Sequence, residues 1–129
     1  MRVVLSADGA TAYASARGED TLWILDTAKL AGKVPQPVRA KIKVGTAPVG
    51  VAVAGDQVFV TNSDRFGKGQ TQTVSVVNAA DPSASLRSVP AGGFPRELKV
   101  TADGKTLLVT NFTSQTLELV DIARLDQAK

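Results

Sequence analysis

The 129 residues predict an all-β chain built from three copies of one four-stranded unit. Three observations carry this: an internal repeat, short strand-like runs of β-branched residues, and turn residues at matching offsets. Val3-Val4-Leu5-Ser6-Ala7-Asp8-Gly9 aligns without a gap on Leu98-Lys99-Val100-Thr101-Ala102-Asp103-Gly104, and Asp26-Thr27-Ala28-Lys29-Leu30 on Asp121-Ile122-Ala123-Arg124-Leu125. A third copy lies between them, with the shorter turn Gly55-Asp56 and an insertion from Asp64 to Gln72. A period of roughly forty to fifty residues with several short strands per unit fits the blades of a β-propeller.

Each unit is read as antiparallel strands in order. The first strands are Val3 to Ser6, Val51 to Ala54 and Leu98 to Thr101. Each leads into an Asp-Gly or Gly-Asp turn, whose tolerance of positive φ suits a tight hairpin. The second strands are Thr11 to Ser15, Gln57 to Thr61 and Lys105 to Thr110; the third are Thr21 to Leu25, Thr73 to Val77 and Thr116 to Val120. Asp26, Asn78 and Asp121 follow the third strands and start turns through their own side chains. A fourth strand is expected at Arg39 to Val44 and at Leu86 to Val89. The links Gly45-Thr46-Ala47-Pro48 and Gly92-Gly93-Phe94-Pro95 then enter the next unit.

Burial patterning supports blades over a one-sided meander. Val58-Phe59-Val60, Leu107-Leu108-Val109 and Trp23-Ile24-Leu25 are apolar on both faces, as sheets stacked face to face require. The fourth strand alternates, placing Arg39, Lys41 and Lys43 on one face and Ala40, Ile42 and Val44 on the other, which fits an outer edge guarded by charge. Phe59, matched by Tyr13 and Leu108, is expected between blades. Trp23, matched by Glu118, is expected partly outward.

The second strands spell Phe59-Val60-Thr61-Asn62 and Leu108-Val109-Thr110-Asn111, with Tyr13-Ala14-Ser15-Ala16 in the first unit. With Thr73-Val74-Ser75-Val76-Val77-Asn78 and the Gly-x-x-Pro link, this resembles the YVTN family of bacterial and archaeal propeller repeats across essentially the whole chain. The departures are Ala16 in place of Asn and the insertion in the second unit. The resemblance implies relation to lactonase-type propellers and to the propeller domains of quinoprotein dehydrogenases and nitrite reductases. Its members are often exported.

The expected organisation is one partial propeller domain over residues 1–129, with repeats at about 1–47, 48–94 and 95–129. Closed propellers have four to eight blades. Only Asp126 to Lys129 follow Leu125, and Met1 aligns with Arg96, so the chain reads as the C-terminal part of a larger ring whose last blade lacks its outer strand. A helical tail through Leu117, Val120 and Leu125 is the competing reading. The outer sides of the first and third blades are apolar, so self-association or further blades are expected to cover them.

Composition removes much chemistry. With no His and no Cys there is no Ser-His-Asp triad, Cys nucleophile, disulfide, or Cys/His metal or haem site. Fifteen Lys and Arg against twelve Asp and Glu give a net charge of +3, short of a dedicated nucleic-acid binder. The run Lys33, Arg39, Lys41 and Lys43 lacks interleaved aromatics and reads as a solvated outer strand. No apolar run reaches the roughly 18 residues of a membrane span. The apolar stretch of the N-terminus is too short for a signal peptide, and Asp8 follows at once, so no compartment is assigned.

No cofactor or metal is expected. Asp20 and Asp64 lack the spaced partners of a calcium loop, Gly67-x-Gly69 lacks the rest of a phosphate-binding fingerprint, and Glu97 and Glu118 have no paired carboxylate. The candidate contact surface is the face where the links and the second-to-third loops converge. It carries Asn62, Arg65, Phe66, Phe94, Arg96, Asn111 and Phe112. Two arginines beside aromatics suit an anionic or carbonyl-bearing partner, a protein or a small ligand. Turn capping by Asn62 and Asn111, rigid links at Pro48 and Pro95, and a tolerated surface insertion are the plainer accounts of the same residues. The leading expectation is a non-enzymatic scaffold or recognition module. The alternative is a sector of a propeller enzyme.

Overall fold

The computed structural model describes residues 3–6, 8–27, 38–45, 47–63, 73–79, 81, 87–91, 95–111 and 115–122. Among them, eleven strands form three antiparallel sheets. The first sheet is β1 (Val3–Leu5), β2 (Thr11–Ala16), β3 (Thr21–Asp26) and β4 (Val38–Lys43), in that order. The second is β5 (Pro48–Ala54), β6 (Gln57–Asn62), β7 (Thr73–Asn78) and β8 (Arg87–Pro90). The third runs β9 (Pro95–Val100), β10 (Thr106–Asn111) and β11 (Thr116–Asp121), three strands among the described residues. These are propeller blades in an incomplete ring. Leu117 to Val120, included in the helical reading of the tail, are strand, and Leu125 lies outside the described residues.

The middle blade shows why the strands are apolar throughout. Along β6 and β7, Val58, Val60 and Val77 join Tyr13, Leu22, Ile24 and Val44 of the first blade. Phe59, Val74 and Val76 point the other way and join Leu98, Leu107, Val109 and Ile122 of the third. Side chains alternate between the two faces of a strand, so an unbroken run of Val and Phe fills two cores at once. Phe59 is fully buried, as expected for a ring between blades.

The same positions lie bare at both ends of the stack. Register places Leu108, Leu119 and Leu117 where Tyr13, Ile24 and Leu22 sit in the first blade. Yet Leu117 is 60% and Leu119 66% exposed, while Leu22 and Ile24 are fully buried. On the far side of the first blade Val3 is 63% and Leu5 53% exposed. Trp23 shares that outer face, half-buried, with Lys41 Nζ 4.5 Å above its ring. Its Nε1 donates to Thr21 Oγ1 at 3.0 Å.

Turns repeat as faithfully as strands. Ser6 and Thr11 close a four-residue loop, as do Thr101 and Thr106, so these connections are longer than the tight hairpin expected from Asp-Gly. Gly9 and Gly104 both take φ +72°. Asp8 Oδ1 accepts the Ser6 hydroxyl at 2.7 Å and the Ala10 N–H at 2.9 Å. Asp103 repeats this with Thr101 at 2.6 Å and Lys105 at 3.0 Å. Of these three first-to-second connections, the two-residue one is Gly55-Asp56. After each third strand one amide returns to the start of the second: Thr27 to Ala10, Ala79 to Asp56 and Ile122 to Lys105.

One residue departs from the expected facing. Pairing of β3 with β4 slips between Ile24 and Leu25, so Ala40 opposes Ile24 and Val38 opposes Leu25. This irregularity takes Arg39 out of the alternation that includes Lys41 and Lys43. Arg39 lines a pocket with Tyr13, on the side facing the second blade. A bulge re-aims a side chain without altering the sequence pattern around it.

Phe59→Ala is expected to cost about 3–5 kcal/mol in denaturant melts, because it empties a site closed on all sides. Trp23→Ala should cost clearly less, since Trp23 is only half-buried on the outer face beneath Lys41. A second expectation concerns acid. The Asp8 and Asp103 carboxylates are held below their ordinary value of 3.8, first by hydroxyl donation from Ser6 and Thr101 and then by the Ala10 and Lys105 amides. The stability they contribute is complete above 3.8 and is lost as pH falls through the lowered folded values. The double variant Asp8→Asn, Asp103→Asn should therefore show a flatter acid limb in melts below pH 4 than the parent protein.

Candidate functional site

The second strands end on the loop face, where the inner strands of the second and third blades are irregular. β5 and β6 slip between Pro48 and Val51, and β9 and β10 slip between Thr110 and Asn111. The ladder cannot reach every amide across such a slip, and threonine hydroxyls substitute for it. Thr61 Oγ1 accepts the Gly50 N–H at 2.7 Å, and Thr110 Oγ1 accepts the equivalent Glu97 N–H at 3.1 Å. In the first blade Ser15 turns outward from its own sheet and donates to the Val49 carbonyl at 2.9 Å, joining two blades.

The asparagines work beside them. Asn62 Nδ2 donates to Thr73 Oγ1 at 3.0 Å and to Ser75 Oγ at 2.8 Å, and Asn111 Nδ2 donates to Thr116 Oγ1 at 3.2 Å. Both side chains are buried. Asn62 Oδ1 is buried with no hydrogen-bond partner, a condition costing about 1–3 kcal/mol. The amide also lies against Gly45, where an added Cβ would stand 2.5 Å from Asn62 Cγ. Glycine at the start of the link is therefore a matter of space.

Ala47 holds the link in place. It is fully buried and sits at φ +54°, a left-handed conformation that costs a side-chain-bearing residue roughly 1–2 kcal/mol. Its N–H donates to Asp20 Oδ1 at 2.9 Å, and its carbonyl accepts the Ser63 amide at 3.1 Å and hydroxyl at 2.8 Å. Asp20, weighed in sequence as a calcium ligand, thus binds the backbone of the next blade. Among the described residues no three acidic groups converge on a common point.

Of the sequence-proposed contact residues, Asn62 and Asn111 lie at the loop-face ends of β6 and β10. Arg96 lies in β9, its side chain not described. Arg65, Phe66, Phe94 and Phe112 fall outside the described residues, as do Asp64 and the rest of its insertion. A groove of about 330 Å³ opens elsewhere, on the uncovered face of the third blade, between Glu97, Lys99, Leu108, Thr110 and Leu117. Sequence reading passed over it because Leu108 looked like one more interblade position. Lys99 at the place of Val4 and Ala52 was the available signal.

No protein-family model matches the chain, and no curated protein does. Among solved structures it is similar to hydrazine synthase of Kuenenia stuttgartiensis, with a TM-score of 0.79 and 23% identity over 95% of this chain and 32% of that one. It is also similar to a proposed 6-phosphogluconolactonase of Bacteroides uniformis, with a TM-score of 0.73 and 15% identity over 92% and 35%. A proposed 6-phosphogluconolactonase of Bacteroides fragilis gives 0.74 and 15% over 93% and 34%. The chain spans about a third of each. At such identities the shared property is the fold.

The Gly45–Asn62 contact yields a test. Gly45→Ala is expected to destabilise by about 1–3 kcal/mol in urea melts through overpacking. In the double variant Gly45→Ala, Asn62→Ala the loss should be smaller than the sum of the single losses. Simple additivity would show that the two positions do not compete for space.

Proposed function

We propose that this chain is a sector of a YVTN-type propeller acting as a non-enzymatic recognition scaffold. Blade-on-blade docking at its two ends completes a ring. The single observation supporting the reading is the contrast at equivalent positions: Leu22 and Ile24 are buried under a following blade, while Leu117 and Leu119 lie 60% and 66% exposed. Apolar surface of that kind is normally covered by association. On the sequence reading alone, Arg65 and Phe66 of the insertion and Phe94 and Arg96 of the link would supply contacts to an anionic protein or ligand.

A second reading, a sector of a propeller enzyme, draws on the likeness to hydrazine synthase and to the proposed 6-phosphogluconolactonases. It places the missing catalytic groups on blades outside this sequence. The two readings differ in a direct assay. Sugar-lactone hydrolysis above the buffer rate by a completed ring, this chain together with the blades that cover its ends, favours the second, and its absence there favours the first.

Light scattering at micromolar concentration is expected to give a dimer or larger species, two copies supplying six blades. Leu117→Lys with Leu119→Lys should shift it to the monomer mass without unfolding it. A folded monomer of 13.4 kDa that binds no hydrophobic dye overturns the docking reading.

A further inference from the structure

A pocket of about 380 Å³ lies on the opposite face from the links, at the seam between the first and second blades. Its size falls within the roughly 300–1,000 Å³ of small-molecule sites. Asp8 and Arg39 come from the first blade, Asp56 from the β5–β6 turn of the second, and Tyr13 and Thr11 line it between them. Two carboxylates, one guanidinium and a phenol thus converge from three separate segments.

Tyr13 supplies the neutral hydrogen-bonding group of this pocket. Its side chain is 4% exposed and its ring packs among Leu22, Ile24, Val58 and Val60. At the equivalent position the second blade has Phe59 and the third Leu108, so packing alone does not need a hydroxyl. Among the described residues that hydroxyl has no protein hydrogen-bond partner, and it opens onto the pocket. Burial raises its pKa above the ordinary 10.0, with Arg39 acting against the shift and Asp56 and Asp8 adding to it. It is therefore a protonated donor at neutral pH, with those three charged groups facing it.

The charges have not neutralised one another. Among the described residues no ion pair joins Arg39 to Asp8 or Asp56. The slip between β3 and β4 brings Arg39 into the pocket, away from Lys41 and Lys43. Asp8 commits Oδ1 to the Ser6 hydroxyl and Ala10 amide, which holds the carboxylate ionised and oriented. A pure anion meets two carboxylates here, and a pure cation meets a guanidinium. A molecule carrying both charges satisfies both sides.

We propose that this seam pocket binds a small zwitterion of the amino-acid class, its carboxylate held by Arg39 and the Tyr13 hydroxyl and its ammonium by Asp56 and Asp8. Guanidinium pairs with a carboxylate bidentately, and charge-assisted hydrogen bonds are roughly twice as strong as neutral ones. The site is independent of the loop face and of ring closure by the end faces.

The test is a titration of the full chain followed by backbone amide resonances, using L-alanine, 4-aminobutyrate, acetate and ethylamine as probes. At least one of the two zwitterions should saturate shifts at Gly9, Gly55 and Asp56. Acetate and ethylamine should each bind at least fivefold more weakly. Arg39→Ala and Asp56→Asn should each weaken the zwitterion roughly tenfold. Tyr13→Phe should weaken it severalfold with an unchanged melting midpoint, since phenylalanine already occupies the equivalent position in the second blade. Saturation by neither zwitterion at concentrations on the order of tens of millimolar overturns the proposal. So does acetate binding as tightly as the better zwitterion, or full affinity in Arg39→Ala or Tyr13→Phe.

Discussion

An antiparallel sheet that is apolar on both faces needs another layer on each side, and this requirement organises the molecule. In the middle blade it is met twice over: Val58, Val60 and Val77 are closed by the first blade, Phe59, Val74 and Val76 by the third. Two cores of comparable make-up result, in place of one central core. Each face uses residues one position apart along the same strands, so neither interface can shift register without emptying the other. The outward faces of the first and third blades inherit the same side-chain pattern with no layer above them, which is why Val3, Leu5, Leu117 and Leu119 stand exposed.

Blades packed this way leave backbone polar groups to be settled at the strand ends, and the repeat settles them with side chains. Ser6 with Asp8 and Thr101 with Asp103 close the long turns on one face of the disc. On the other face Thr61 and Thr110 serve amides that the slipped ladder cannot reach. Asp20, Ala47 and Ser63 then tie the first blade to the link and the link to the second. The short Thr-Asn motif is thus a device for ending one strand and starting the next blade at a fixed place. Its asparagine leaves one buried acceptor unpaired, a cost borne beside a glycine that gives it room.

Much of this was legible in the sequence. A period of two with apolar residues on both faces distinguishes a sandwiched strand from a surface one, and the apolar matches Tyr13 and Leu108 in the other two units place Phe59 between blades. Strand positions came out within a few residues, the misses falling where an inner strand begins early, at Pro48 and Pro95, across an irregularity in pairing. A slip of register leaves no mark in composition or periodicity. For the same reason Arg39 was grouped with Lys41 and Lys43, although it turns toward Tyr13.

The residues by themselves determined the repeat, the all-β class, the two-sided burial of the middle strands and the exclusion of histidine and cysteine chemistry, because these depend only on residue identity and spacing. Tertiary structure alone decided which groups meet across the seams. The association of Asp8, Tyr13 and Arg39 with Asp56, residues far apart along the chain, follows from how two sheets stack and from one irregular pairing. It decided too that Asn62 turns inward to Thr73 and Ser75 and that Asp20 caps a link in the next blade. A polar side chain is drawn to whatever unsatisfied group the packed backbone sets beside it, and that neighbour exists only once the sheets are in place.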